Sequence, residues 1–355
     1  MKKFKLNLKE IKIFQNAFIW FIAPLTIVLI GLICGTVYST AGNNYDGFAN
    51  IGVDFRGGTL LTVEATSGFE LLGNNYTSNE EIIRNIIIES GGTPTQGQTR
   101  GTNAIIVRYP NSINGVDYNT DEKTMEMVTI NEQIKVKIEQ GLKTVYGNDI
   151  QVIVSAESIN ATASSELLDK AFLSVGLALL LILIYIIIRF DLFSGIAAIL
   201  ALVHDILIVF AGVIIFRISI NSSFIAAIIT VVAYSINNTI IIFDRVREYV
   251  KPNKNKKFRI DVRGVVNDSV KDTFKRSILT TVTTLITISA LAAVGIQSLI
   301  EFALPIIFGL IAGAYSSICI APTIWGLMMK AQQNNAIKRK GDKSPAPFIR
   351  KKKRA

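Results

Sequence analysis

The stretch FSGIAAILALVHDILIVFAGVIIF, residues 193–216, indicates the class of fold. As a helix it is long enough to cross a hydrocarbon core of about 30 Å. Near its middle lie His204, the only histidine in the chain, and Asp205. A carboxylate at that depth costs several kcal/mol, so an embedded ionisable residue indicates function. The stretch therefore predicts a protein that moves something through a membrane or draws energy from one.

Five further apolar runs are long enough to span a membrane, at 17–38, 171–188, 221–243, 277–296 and 302–329. Hydrophobic residues make up 50% of the chain and charged residues only 18%. Because the first run is too long for a signal peptide and lacks a clear cleavage site, we expect a retained anchor. The sequence predicts an α-helical polytopic membrane protein with six transmembrane helices.

The distribution of Lys and Arg predicts the orientation of these spans. The N-terminal residues 1–16 are basic, a loop at 244–276 carries eleven Lys/Arg, and 330–355 carries ten. Six spans place all three segments on one side, which we expect to be the cytoplasm. The segment 39–168 has sixteen Asp/Glu against eight Lys/Arg and is expected outside. The basicity therefore follows the topology, which favours membrane lipids over nucleic acid as its partner.

The sequence predicts that the outer segment 39–168 forms a small α+β domain between the first two spans. Runs rich in β-branched residues predict strands at 59–65, 104–109 and 150–155, while 93–102 fits either a strand or a loop. Two helices alternate with the strands. The first carries Ile82, Ile83, Ile86 and Ile87 on one face, and the second, 121–146, carries Met125, Val128, Ile134 and Ile138 at helical spacing. The order β-α-β-β-α-β predicts a ferredoxin-like sandwich.

A glycine-rich motif, GVDFRGG at 52–58, follows the first span. Gly52, Gly57 and Gly58 permit backbone conformations that other residues avoid, which suits a hinge where the chain leaves the membrane. Asp54 is placed to cap the turn. The motif therefore predicts the connection between the anchor and the domain.

Several motifs resemble those of the SecD/SecF family of the Sec translocase. They are GVDFRGG at 52–58, LVHD at 202–205, YSINNTIIIFDRVRE at 234–248, RSILTTVTT at 276–284 and GAYSS at 313–317. The resemblance runs from about residue 15 to about residue 330, and the chain is identified as a member of this family. The resemblance implies that this chain forms half of a helical bundle like that of resistance-nodulation-division transporters, with SecD supplying the other six spans.

The resemblance also implies an accessory motor rather than an enzyme or a cofactor-dependent protein. In such a motor, proton flow drives movements of the outer domains. These movements help an unfolded preprotein to complete its passage through the SecYEG channel after the ATPase SecA has pushed it. SecD, SecYEG with SecA, and preproteins are the partners expected on this ground.

One position departs from the family pattern. Asn238 stands where the family carries the aspartate proposed to transfer protons, and an amide has no usable proton affinity. Three explanations stay open: SecD carries the proton alone, Asp205 takes the role with His204, or another cation is bound through Ser235, Asn238 and Thr239. For each of these polar groups, simple packing between helices is an alternative.

Other charged residues have both a functional and a plain interpretation. Arg276 matches a functional arginine of the family, yet it also suits an ordinary interfacial position. Asp244, Arg245, Arg247 and Glu248 stand at the membrane exit of the fourth span, where we expect ion pairs, with Arg245 and Glu248 three residues apart. Asp205 itself either binds an ion or hydrogen-bonds across helices.

Two rival classes fit the sequence less well. A free-standing exporter of lipids or small molecules needs about twelve spans and two outer domains, and this chain has half of each. An intramembrane enzyme needs a catalytic set, yet Asp205 is the only aspartate in a clearly apolar stretch. No metal site is expected from one histidine and two distant cysteines.

Overall fold

The structure is a computed structural model. It describes residues 13–16, 18–40, 47–65, 76–94, 98–100, 104–118, 123–147, 151–159, 161–251, 260–294 and 297–340. The predictions for residues 1–12, for 252–259 of the basic loop and for 341–355 of the basic tail lie outside the described residues.

A four-stranded sheet and two helices form the small domain. The strands are β1 (Gly58–Ala65), β2 (Gln98–Arg100), β3 (Ala104–Tyr109) and β6 (Val152–Ile159), and the helices are α3 (Tyr76–Glu89) and α4 (Thr124–Tyr146). The sheet order is β2-β3-β1-β6, and all its pairs are antiparallel. This order confirms the predicted ferredoxin-like sandwich. The ambiguous segment 93–102 thus contains a strand.

The structure adds two short elements to this domain. Strands β4 (Ser112–Ile113) and β5 (Val116–Asp117) form a hairpin that the strand pattern did not predict. Its turn is Asn114-Gly115, and both residues have positive φ. Asn-Gly is the favoured sequence for a two-residue hairpin turn, so the local signal for this hairpin was present.

The buried stripe of α4 differs from the predicted one. Ile134 and Ile138 are buried, but Met125 is 77% exposed and Val128 is 45% exposed. Met127 is buried instead, because the stripe that faces the sheet follows steps of three and four residues from Met127 through Ile134 to Leu142. Helix α3 packs beside α4 and buries Ile83 and Ile87 in the same core.

A buried polar chain joins α4 to the sheet. The Tyr109 hydroxyl donates to Asn131 Oδ1 over 2.8 Å, and the Asn131 amide donates to Thr59 Oγ1 over 3.2 Å. Burial raises the pKa of the Tyr109 phenol above its usual range. The chain fixes α4 on β1 and β3 because each buried polar group has a partner.

Six helical segments among the described residues are long and apolar enough to cross a membrane. They are α1 (Ile19–Thr40), α5 (Ala161–Arg189), α6 (Leu192–Ile215), α7 (Ser222–Val250), α8 (Val262–Ala293) and the pair α9 (Gln297–Tyr315) and α10 (Ala321–Lys340). A π-helical turn, Ser316–Ile320, joins α9 to α10. A four-residue helix, α2 (Val53–Arg56), lies between α1 and β1. The six-span architecture is thereby confirmed.

The charged segment 244–276 is largely helical rather than a loop. Helix α7 continues to Val250, and α8 begins at Val262 after the Asp261 carboxylate accepts a hydrogen bond from Gly264 N. Val262, Val266 and Val270 are buried on one side of this extension. The many charged residues conceal this apolar stripe in the sequence.

Helices α6, α7 and α9 form the centre of the bundle, whereas α5 and α8 bury little of their surface. Glycines let the central helices approach closely. A Cβ at Gly309 would lie 2.2 Å from Val231 Cγ2, and one at Gly212 would lie 2.6 Å from the Phe308 ring. The side chains at the centre of the bundle therefore have little room to move.

Candidate functional site

Asp205 lies at the centre of the bundle and is 0% exposed. Its Oδ2 accepts a hydrogen bond from Ser316 Oγ over 2.9 Å and another from Ser235 Oγ. Its Oδ1 lies 2.8 Å from His204 Nδ1. Three helical segments thus converge on one carboxylate through hydroxyl groups and one imidazole.

Local structure explains why these groups converge. Ser235 lies on α7 where a Cβ at Gly313 of α9 would stand only 3.1 Å from its own Cβ, so the two helices are in close contact. Ser316 is the first residue of the π-helical turn. Such turns widen a helix by one residue and are frequent at functional sites. Ser316 belongs to the site and was missed by sequence reasoning, although GAYSS was noted as a motif.

His204 connects the carboxylate to the N-terminal part of the chain. Its ring stacks on Tyr315 with the centroids 6.3 Å apart, and the Tyr315 hydroxyl donates to the carbonyl of Trp20. The Trp20 indole in turn donates to the carbonyl of Ile13. His204 Nε2 is buried and has no hydrogen-bond partner among the described residues.

The predicted polar cluster on α7 divides between two sides. Ser235 faces Asp205, but the Asn238 amide donates to Thr281 Oγ1 of α8 over 3.4 Å. Thr239 is buried and Asn237 is exposed. In the part of the chain that the structure describes, the Asn238 side chain therefore contacts α8 and not the Asp205 carboxylate.

Arg276 lies on α8 outside the site. Its side chain is exposed, and no described residue forms an ion pair or side-chain hydrogen bond with it. Its backbone carbonyl accepts a hydrogen bond from Thr280. The structure thus separates Arg276 from Asp205 within this chain.

The charged residues at the end of α7 form pairs with α5 and α8. Asp244 pairs with Arg189 over 2.9 Å, and Arg245 pairs with both Glu248 and Asp272. Arg247 behaves differently, because its guanidinium donates to the Arg189 carbonyl rather than to a described carboxylate. These contacts fasten the end of α7 to the end of α5 and to the first turns of α8, at the end of the bundle called the basic end below.

The glycine motif joins the domain to the opposite end of the bundle, the domain end. Gly52 N donates to the Ile220 carbonyl over 2.8 Å, in the connection between α6 and α7. The Asp54 carboxylate accepts a hydrogen bond from Ser222 N. It therefore caps the start of α7 rather than only its own turn. Gly57 has a φ of 76°, and a Cβ at Gly52 would stand 3.0 Å from Ser219 Oγ. Gly58 opens β1.

A second buried carboxylate, Glu301, was missed by sequence reasoning. It is 1% exposed, accepts a hydrogen bond from the Asn221 amide over 2.6 Å and pairs with Arg108 of β3 over 3.5 Å. Asn221 also caps α7 by accepting from Phe224 N. Glu301 therefore links the small domain to two helices, and only the folded chain brings these distant residues together.

The described residues contain no group of three or more His, Cys, Asp or Glu that could hold a metal ion. The polar groups around Asp205 are hydroxyls and one imidazole. The arrangement can bind and release a proton or a small cation, because the carboxylate provides the charge and the hydroxyl groups can donate to an ionised carboxylate or accept from a protonated one.

Comparisons with known proteins agree with the motifs. The family described as "Protein export membrane protein SecD/SecF, C-terminal" matches residues 137–331. Protein translocase subunit SecF of Helicobacter pylori is 31% identical over 79% of this chain and 78% of its own length. The SecF of Sebaldella termitidis is 28% identical over 94% of this chain and 97% of its own.

A solved structure shares the fold. The crystal structure of SecDF from Thermus thermophilus, titled a translocon-associated membrane protein, has a TM-score of 0.63 and 27% sequence identity. The likeness covers 91% of this chain and 39% of that chain. This chain thus corresponds to a part of that longer protein.

The six spans, the ferredoxin-like domain and the embedded carboxylate define a multi-pass membrane protein of the protein-export class. The chain belongs to the SecD/SecF family. An accessory role in the Sec translocase machinery follows from this membership.

Proposed function

We propose that this chain works with a SecD partner as an accessory motor of protein export, and that cation binding at Asp205 drives it. The motor uses the proton gradient, or another cation gradient, to move the α+β domain. These movements promote the late passage of preproteins through the SecYEG channel after SecA has acted. The observation that carries the proposal is the buried Asp205 carboxylate and its partners on α7 and the π-helical turn.

The energetic argument concerns the charge of Asp205. An ionised carboxylate inside a membrane is costly, and a bound proton or cation removes that cost. When Asp205 is neutralised, its hydrogen bonds with Ser235 and Ser316 change strength, because bonds to a charged acceptor are stronger than neutral ones. Loading therefore changes how firmly α6 holds α7 and the π-helical turn.

Helix α7 offers a path from the site to the domain. From Ser235 to Asn221 it runs about 21 Å at 1.5 Å per residue. At its start, Asn221 contacts Glu301, Ser222 N contacts Asp54, and the adjacent Ile220 contacts Gly52. A small shift of α7 at Asp205 is thus transmitted by a rigid helix to the residues that hold the domain.

The Lys/Arg bias supports an orientation with both termini in the cytoplasm and the domain outside. Arg189, Arg245 and Arg247 lie at the basic end, while the domain meets the bundle at the other end. In this orientation the domain stands where a preprotein leaves the channel, which fits a pulling role.

The test is Asp205→Asn in proteoliposomes that contain this chain, its SecD partner, SecYEG and SecA. Secretion is measured with a pH gradient at constant sodium and with a sodium gradient at constant pH. We expect Asp205→Asn to abolish the stimulation by one of the two gradients, which identifies the coupling ion, while secretion driven by ATP alone persists.

A matched control is Asp244→Asn, which makes the same substitution at an exposed carboxylate of the basic end. It should retain the stimulation. If the Asp205→Asn chain kept full stimulation by every gradient that stimulates the unchanged chain, the role proposed for Asp205 would be refuted and the ion coupling would be left to the partner.

A further inference from the structure

A cavity of about 490 Å³ lies at the basic end, apart from the Asp205 site. It is bounded by the connection between α5 and α6, the end of α7, and α10. We call it the basic-end cavity. Its lining combines three cations, one indole and an apolar wall, and none of these groups serves the ion coupling proposed above.

The three cations are Arg189, Arg247 and Lys251. Arg247 and Lys251 form no ion pair with a described carboxylate, whereas Arg189 pairs with Asp244. Asp191 also lines the cavity, but its carboxylate already caps α6 by accepting from the backbone N and the hydroxyl of Ser194. The cavity therefore has an excess of positive charge.

Trp325 provides an independent indication of a ligand. Its side chain lines the cavity and is 1% exposed, and its indole N–H has no hydrogen-bond partner among the described residues. A buried donor without a partner costs about 1–3 kcal/mol. An acceptor bound in the cavity would remove this cost.

The apolar part of the lining indicates which kind of anion fits. Ile188 and Leu192 belong to the lining and are 81% and 68% exposed, and both lie at the ends of spans. Side chains of this kind at a span end face lipid chains. The cavity thus offers cations and a donor to a phosphate beside a hydrocarbon surface.

We propose that the basic-end cavity binds the phosphate group of an acidic phospholipid. Arg247 and Lys251 hold the phosphate, the Trp325 indole donates to the headgroup, and the acyl chains lie over Ile188 and Leu192. A free phosphate ion shares the headgroup chemistry but would make no use of the apolar wall, which favours the lipid.

The two tryptophans of the chain make a direct test possible. Trp20→Phe leaves Trp325 as the single tryptophan of the full chain, and its emission is excited selectively at about 295 nm, where tyrosine absorbs little. This chain is placed in nanodiscs with increasing fractions of brominated phosphatidylglycerol or brominated phosphatidylcholine. We expect stronger quenching of Trp325 by the acidic lipid at equal fraction.

The cation substitutions test the site itself. In the Trp20→Phe background, Arg247→Gln and Lys251→Gln should each weaken the preference for phosphatidylglycerol about fivefold. Lys275→Gln, which removes an exposed cation of α8 outside the cavity, should leave the preference unchanged. Melting temperatures in phosphatidylcholine discs verify that each variant is folded.

Three results would overturn the proposal. They are equal quenching by the two lipids, an equal loss of preference in Lys275→Gln, and recovery of Trp325 emission on addition of inorganic phosphate. The last result would assign the cavity to a soluble phosphate. Each result leaves the role of Asp205 untouched, because none depends on an ion gradient.

Discussion

Two of the buried carboxylates that the structure describes, Glu301 and Asp205, lie in opposite surroundings. Glu301, at the domain end, faces the permanent cation of Arg108 and the amide of Asn221. Asp205, in the middle of the bundle, faces two hydroxyls and an imidazole. A guanidinium stays charged under all relevant conditions, so loss of the Glu301 charge would leave a cation without that partner. Neutralising Asp205 leaves no permanent cation, because the partners of Asp205 are two hydroxyls and an imidazole.

The surroundings of Asp205 suit ion exchange, and those of Glu301 suit attachment of the domain. Hydroxyl groups donate to an ionised carboxylate and also accept from a protonated one, so the Asp205 site tolerates both states. The ion pair of Glu301 with Arg108 exists only when the carboxylate is charged. We therefore assign ion exchange to Asp205 and attachment of the domain to Glu301, and the predictions below test that division.

The largest effect on stability is expected at the domain end. Glu301→Gln removes the charge that pairs with Arg108 and should lower the free energy of unfolding by about 2–3 kcal/mol. Urea unfolding of the solubilised chain measures this change. Stimulation of secretion by the gradient should persist in the complex that remains folded.

The control is Glu81→Gln, which changes an exposed carboxylate of α3 in the same domain. It should alter stability by less than about 0.5 kcal/mol. If Glu301→Gln instead kept full stability and lost its response to the gradient, the division between the two carboxylates would be wrong.

Two glycine substitutions, one near each carboxylate, are expected to have effects of intermediate size. A Cβ at Gly313 would stand 3.1 Å from Ser235 Cβ, and one at Gly52 would stand 3.0 Å from Ser219 Oγ. Each Gly→Ala change should cost about 1.5 kcal/mol by overpacking. Gly313→Ala should in addition weaken the response to the gradient, because it displaces the α7 residue that contacts Asp205.

The readout that separates the pair is hydrogen exchange of the domain together with gradient-stimulated secretion. Gly52→Ala should speed exchange at the junction of α2 and α7 with less effect on the response. Identical behaviour of the two variants in both measurements would contradict separate roles for the two ends.

A smaller effect is expected at the π-helical turn. Ser316→Ala removes one neutral donor to Asp205 and should cost about 1 kcal/mol in unfolding free energy. It should also shift the pH at which secretion is half-stimulated, because the ionised carboxylate loses a donor. Ser317→Ala, whose hydroxyl donates to the Ala314 carbonyl rather than to Asp205, should leave that pH unchanged. A shift in Ser317→Ala alone would place the site elsewhere.

The sequence predicts the spans and the domain because both depend on local patterns. Apolar runs of sufficient length have few alternatives to a membrane helix, and alternating strands and helices limit the sheet order. The continuation of α8 was missed because the charges between 251 and 276 hide the stripe of Val262, Val266 and Val270. Such short stripes are recognised only when their partner surface is known.

Among the site residues, Asp205, His204 and Ser235 were predicted because polar groups stand out in an apolar run. Glu301 and Ser316 were not, since Glu301 lies at the edge of a span and Ser316 reaches Asp205 only through a π-helical turn. Asn238 was grouped with Ser235 by proximity along the chain, yet its contact lies on α8. Neighbours in sequence thus turned out to face different helices.

The smallest effect is expected at Asn238, and it tests Asp205 most directly. Thr281 Oγ1, which accepts from the Asn238 amide, already donates its own hydrogen to the Ser277 carbonyl over 2.9 Å. A carboxylate at position 238 would receive no hydrogen bond from it. Asn238→Asp should therefore bring no gain in gradient-stimulated secretion. It should also fail to restore the response in the Asp205→Asn chain, as measured with the same proteoliposomes. Rescue in the double variant would contradict this prediction and show that a carboxylate at position 238 can carry the ion without Asp205.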